Sequence, residues 1–179
     1  MLKGMIYDAN NDPRLKAERA ECKELCHDYN HLRPKDVEGR RKIIMELLGS
    51  VKGNFLIEQP FLCDYGYNIH IGDNFYANHN LVILDGATVK FGDNVFVAPN
   101  CGFYTAGHPI DAAERNKGLE YARPITVGND VWIGGNVCVL PGVTIGDDCV
   151  IGAGSVVVKD IPPHSVAVGN PCKVIKKIK

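Results

Sequence analysis

Val127-Gly-Asn-Asp-Val-Trp, Ile133-Gly-Gly-Asn-Val-Cys, Val139-Leu-Pro-Gly-Val-Thr, Ile145-Gly-Asp-Asp-Cys-Val, Ile151-Gly-Ala-Gly-Ser-Val and Val157-Val-Lys-Asp-Ile-Pro follow one another without a gap. One aliphatic residue leads each six-residue unit and a small residue usually follows it. A period of six matches neither the 3.6 of a helix nor the alternation of an isolated strand, so it predicts a coil of short strands and turns. If each unit forms one side, three units close a triangular prism and the leading residues stack inward as ladders. Each buried aliphatic then contributes roughly 1.5–3 kcal/mol. Gly128, Gly134, Gly146, Gly152, Asn129 and Asn136 suit corners that need positive φ or close backbone approach.

Upstream, the same rhythm starts near Ile57 and runs through Ile71-Gly-Asp-Asn-Phe-Tyr, Ala77-Asn-His-Asn-Leu-Val and Ile83-Leu-Asp-Gly-Ala-Thr. It slips between Cys63 and Ile71, and again by two residues before Phe91, which predicts a bulge around Val89-Lys90. From Thr105 to Arg123 the repeat disappears, and the stretch reads as a loop excursion, 105–123, held by a rigid scaffold. Before the coil, Asp12-Pro13 is a helix start, with Leu15, Arg19, Cys22, Cys26 and Tyr29 recurring at three- or four-residue spacing. After Pro34 a second helix is expected from about Asp36 to Leu48, with Val37, Ile44, Leu47 and Leu48 as its apolar face. The expected division is a helical segment, 1–52, followed by the coil, 53–179.

The 179 residues are 45% hydrophobic with a formal net charge of −1, which gives no overall attraction to nucleic acid or to an anionic membrane. The basic run Lys173, Lys176, Lys177, Lys179 is a local exception, equally a solvated tail or a phosphate contact. Seven cysteines without CxxC or zinc spacing read as reduced thiols, and no apolar leader or membrane span is visible, so a cytoplasmic protein is expected.

Together with the repeat, Cys63-Asp-Tyr-Gly-Tyr-Asn-Ile, Phe75-Tyr-Ala-Asn78, His108-Pro-Ile-Asp-Ala-Ala-Glu-Arg-Asn, Trp132-Ile-Gly-Gly135 and Pro141-Gly-Val-Thr-Ile-Gly-Asp carry a resemblance over essentially the whole chain. The chain resembles the hexapeptide-repeat sugar O-acetyltransferases, the maltose enzymes first, with galactoside and nodulation acetyltransferases as relatives. The resemblance implies a left-handed parallel β-helix, a homotrimer with active sites between subunits, acetyl-CoA as donor, and no metal. It implies direct transfer to a sugar hydroxyl of maltose or glucose type, with no covalent enzyme intermediate. A galactoside or another small hydroxylated acceptor is the alternative.

An alcohol is barely ionised at neutral pH, so attack on a thioester needs a base, and histidine titrates in the right range. His108 falls on the family's catalytic histidine. Asn78 falls on its acceptor-orienting asparagine, although the repeat alone reads it as a corner residue. Tyr76 is placed beside it as a sugar platform or a packing aromatic. Asp85, Arg19 and Asp8 are placed on acceptor hydroxyls, Arg19 matching better than Asp8. The resemblance puts the donor along Gly135, Ala153, Val158, Lys159, Lys173 and Lys176, with Trp132 on the cofactor or subunit wall. Galactoside acetyltransferases carry serine at the position of Gly135 and arginine at those of Lys173 and Lys176. A γ-type carbonic anhydrase is the remote alternative among hexapeptide proteins. His27 and His31, four apart on a helix, could chelate a metal but have no evident third ligand.

Overall fold

The computed structural model of the chain describes residues 4–178; the first three residues of the helical segment and Lys179 of the basic run lie outside them. Helix α1, Pro13–His31, starts where the Asp12 carboxylate accepts the Arg14 and Leu15 N–H groups, and it buries Cys22, Cys26 and Tyr29 as one stripe. Helix α2, Val37–Leu47, is capped by Asp36 accepting from the Gly39 N–H. Its buried face is Arg40, Ile44 and Leu47, whereas Val37 is exposed, contrary to expectation. Arg40 replaces it because its guanidinium donates to the Ile57 carbonyl at 2.7 Å and to Glu58 at 3.1 Å, tying α2 to the coil.

The coil is a parallel β-helix of about six turns. Its first face stacks Ser50–Val51, Ile69–Ile71, Val89–Phe91, Ile125–Val127 and Thr144–Ile145. The second face stacks Phe55–Ile57, Phe75–Ala77, Phe96–Val97, Trp132–Ile133, Cys149–Ile151 and Ser165–Val168, closed by the antiparallel Lys173–Lys177. The third stacks Phe61–Cys63, Leu81–Leu84, Gly102–Tyr104, Cys138–Val139 and Val156–Val157. Val127, Ile133, Val139, Ile145, Ile151 and Val157 are all buried, one per side, and the ladders are in register: Ile83 over Phe103, Val139 and Val157. The coil starts at Ser50–Val51, paired with Ile69–Ile71, so it takes in the last residues of the expected helical segment.

Corner chemistry divides between two residue types. Asn74, Asn80, Asn94, Asn100, Asp130, Asn136 and Asp148 hold positive φ, and several are laddered by their side chains, Asn74 donating to Asn94, Asn94 to Asp130 and Asn80 to Asn100 at 2.9 Å each. The preceding glycines permit close approach instead: a Cβ on Gly134 would stand 2.6 Å from the Ala153 nitrogen.

The irregularities of the repeat gather at one corner, between the third face and the first. No bulge falls at Val89-Lys90, which pair regularly with Ile69-His70 and Ile125-Thr126. The extra residues sit in the turn 85–88, which lies on the same corner as the turn 64–68 and the excursion. The excursion itself is ordered. Ala106–Gly107 and Leu119–Ala122 pair antiparallel, Tyr7–Asp8 adds a third strand, and helix α3, Ala112–Arg115, caps the turn.

Candidate active site

Stacking three widened corners leaves a cleft of about 230 Å³ bordered by Tyr7, Arg19, Asp64, Tyr65, Gly86 and Glu120. Arg19 reaches it from α1, donating to the Tyr65 hydroxyl and the Ala9 carbonyl at 2.6 Å each, so it is a fixed cation rather than a free helix charge. Burial pushes the Asp64 carboxyl above the usual range, with Arg19 opposing. Burial, and then the Glu120 charge, push the Tyr7 phenol well above the ordinary tyrosine value, so Tyr7 is a hydrogen-bond donor to Glu120 at 3.2 Å.

His108 lies where the excursion leaves its first strand. Its Nδ1 is 3.0 Å from the Leu119 carbonyl oxygen, which can only accept, so Nδ1 carries the proton and Nε2 of the neutral ring holds a lone pair. Nε2 stands 3.8 Å from Glu120 Oε1, while Glu120 Oε2 accepts from Tyr7. Glu120 therefore joins His108 to the cleft. Tyr7, Asp64, Tyr65 and Glu120 were missed as candidates. The motif Cys63-Asp-Tyr-Gly-Tyr contains two of them, but nothing local marks Tyr7 or Glu120, which meet only through strand pairing.

One acceptor expectation needs revision. Asp85 is wholly buried, and its Oδ1 accepts the Asp64 and Tyr65 N–H groups at 3.0 and 2.9 Å. It anchors the turn beneath the cleft and has no surface for an acceptor hydroxyl. Its neighbour Gly86 borders the cleft. Asp8 accepts the Asn11 N–H at 2.9 Å, which lowers its pKa, and it borders a different cavity beside Arg14, Glu18 and Tyr67.

Tyr76 and Asn78 lie elsewhere, on the second face and its edge, in a cavity of about 480 Å³ with Phe96, Val97, Ala98 and Trp132. Strand register aligns Tyr76 with Phe96 and Trp132, an outward aromatic column continued by Val150 and Val166. Trp132 is 57% exposed. Lys173 and Lys176 would face opposite ways in a regular strand, being an odd number apart. A register shift at Val166/Ala167 aligns them with Val168 and Val166 instead, so both project on the outward side that carries Trp132. Gly135 and Ala153 share the adjoining corner, where the Gly154 N–H donates to the Gly135 carbonyl at 2.8 Å. Val158 and Lys159 are exposed beyond the third face.

Apart from the His27–His31 pair, the histidines lie apart from one another. His31 Nδ1 is 2.8 Å from the His27 carbonyl, with the two rings tilted against each other at 4.0 Å, and His79 Nδ1 contacts the Gln59 carbonyl. His70 pairs with Ser50 and His164 with Asp148. Within one chain, no three histidines come together among the described residues.

Residues 1–53 match the maltose acetyltransferase hexapeptide capping motif, and residues 124–159 match the bacterial transferase hexapeptide family of six repeats. A putative acetyltransferase of Saccharomyces cerevisiae is 62% identical over 98% of this chain and 89% of its own. The crystal structure of a maltose O-acetyltransferase from Clostridium difficile is 54% identical and superimposes with a TM-score of 0.98, covering 99% of this chain and 95% of that one. A galactoside acetyltransferase in complex with coenzyme A is 48% identical at a TM-score of 0.96, covering 99% and 88%. On its coil, its capping segment and these relatives, the chain belongs to the hexapeptide-repeat acetyltransferases and is an acyltransferase of the maltose/galactoside O-acetyltransferase type.

Proposed function

We propose that the chain transfers the acetyl group of acetyl-CoA directly to a hydroxyl of a sugar of maltose or glucose type, with His108 as general base. The observation that carries this reading is the Nδ1 contact to the Leu119 carbonyl, which fixes the ring and leaves Nε2 free to take a proton. In this reading the acceptor hydroxyl gives its proton to Nε2 as its oxygen attacks the thioester carbon. The resulting imidazolium lies 3.8 Å from the Glu120 carboxylate and returns the proton to the departing thiolate of coenzyme A. Arg19 and the Asp64 carboxyl bind acceptor hydroxyls, and no side chain is acylated.

Donor binding draws support from the relative solved with coenzyme A. Lys173 and Lys176 meet its phosphates as point charges, and Gly135, Ala153, Val158 and Lys159 line its path. Asn78 and Tyr76 belong to a neighbouring subunit's half of the site, in a homotrimer, because they and His108 flank opposite edges of the third face. The strand Leu81–Leu84 between those edges spans roughly 13 Å. Among the described residues no helix is long and apolar enough to cross a membrane, and we place the enzyme in the cytoplasm.

The test is thiol release from acetyl-CoA with glucose, maltose and galactosides as acceptors. Acceptor-dependent release that falls by about 10²–10⁴-fold in His108→Ala supports the reading; release unchanged in that variant rejects His108 as base. Preference for a galactoside would reassign the acceptor.

A further inference from the structure

Cys22 and Cys26 sit one turn apart on the buried stripe of α1, and Cys63 ends the strand Phe61–Cys63 against which α1 packs. The Cys63 sulfur is 3.5 Å from that of Cys22 and 3.8 Å from that of Cys26, and all three lie within 4.8 Å of one another. A tetrahedral zinc ion with Zn–S bonds of about 2.3 Å holds its sulfurs roughly 3.8 Å apart, so these spacings already approximate a ligand set. The geometry points to a tris-thiolate site for a zinc-class divalent cation, formed by Cys22, Cys26 and Cys63 and approached through the groove between α1 and the third face.

Two observations favour a site over simple packing. Cys26 and Cys63 border a groove of about 530 Å³ whose walls are Leu62, Val82 and Leu84 on the coil side and Lys23, His27 and Asn30 on α1, so two of the sulfurs can be reached from outside. Asp85, buried with Oδ2 unpartnered, sits beneath the same corner, its Oδ1 accepting the N–H groups of Asp64 and Tyr65 that follow Cys63. Cys22 also donates to the Cys63 carbonyl at 3.4 Å, and the remaining cysteines lie away from the cluster, Cys101 and Cys149 donating to other backbone carbonyls.

Thiolate ligands select soft or borderline ions over magnesium and calcium. Each ligating thiol releases its proton to solvent as the metal–sulfur bond forms, and three ligands leave a fourth position on the groove side. An ion there would pin α1 to the coil directly beneath the Arg19–Asp64 cleft.

The experiment titrates reduced full-length protein with Co²⁺ and then displaces it with Zn²⁺. The expected result is thiolate-to-cobalt charge-transfer absorption saturating at one ion per chain. Affinity should fall by at least roughly 100-fold in Cys26→Ser, and remain unchanged in Cys138→Ala, which removes a cysteine outside the cluster. If Cys26→Ser fails to fold, alkylation of the native chain replaces it: Zn²⁺ should shield Cys22, Cys26 and Cys63 from a thiol reagent and leave Cys138 reactive. Absence of the absorption, a band that persists in folded Cys26→Ser, or uniform alkylation with and without Zn²⁺ overturns the site.

Discussion

Asp85 carries a charge where the fold leaves no water for it, and burial pushes its pKa up to about 6 against two backbone N–H donors that lower it. A carboxyl whose native pKa is raised binds its proton more tightly folded than unfolded. Its contribution to stability is therefore complete below about pH 4 and lost as pH rises through 6. The difference from an ordinary carboxyl corresponds to roughly 3 kcal/mol. Asp85→Asn keeps the Oδ1 acceptor for Asp64 and Tyr65 and removes the charge, so wild type should lose that amount relative to the variant between pH 4 and 7. Denaturant midpoints of metal-free protein across this range check it, and a constant difference would mean that Asp85 ionises as in water. Asn94 is the opposite case, a residue chosen for its backbone. It holds φ 56° and both gives and receives a ladder hydrogen bond. Asn94→Ala should cost about 1–3 kcal/mol, and Asn94→Gly less, because glycine restores the conformation but not the ladder.

The Lys173–Lys177 strand shows how one irregularity places chemistry. Because the register shift puts Lys173 and Lys176 on one side, reversing both charges should raise KM for acetyl-CoA by about tenfold or more, with kcat little changed. A short acetyl thioester without phosphates should lose nothing, and an equal loss with both donors would show that the strand, not the phosphate contact, had been damaged. The same element marks the limit of what could be read from sequence. Inward ladders were legible because the leading position of each unit recurs as an aliphatic, and Val127 through Val157 are all buried; the fifth position, Val131, Val137, Val143, Cys149 and Ser155, is buried as well but varies too much in type to stand out. A bulge placed by the antiparallel partner leaves no local mark. Nor does the pairing of Tyr7 with Glu120, brought together across 112 intervening positions. Three slips in the repeat were each visible, but their meeting at one corner depends on coil length. Asp64, Tyr65 and Glu120 therefore emerged as neighbours only in three dimensions. The two helices were legible from their caps, yet Arg40 displaced Val37 from the buried face of α2 because its partners, Ile57 and Glu58, belong to the coil.

At the scale of the molecule, the prism separates the residues that the proposed reaction would unite. His108 hangs from the corner where the third face meets the first, and Asn78 sits at the far edge of that third face beside the exposed column Tyr76, Phe96 and Trp132. A rigid coil with in-register ladders cannot fold one edge onto the other. The proposed trimer resolves this by setting the third face of one subunit against the second-face edge of the next, which would also cover the aromatic column. Each site then takes His108 from one chain and Asn78 from its neighbour, and this has a quantitative consequence. His108→Ala and Asn78→Ala, each nearly inactive alone, should complement when unfolded together and reassembled. A site pairing the intact His108 of one variant with the intact Asn78 of the other is whole, and random assortment in a cyclic assembly makes about a quarter of the sites so. Recovery of roughly that fraction of native thiol release, in material where differently tagged chains co-purify, would establish the shared site. Mixed assemblies that form but stay inactive would place both residues in one chain's site, or remove Asn78 from the reaction.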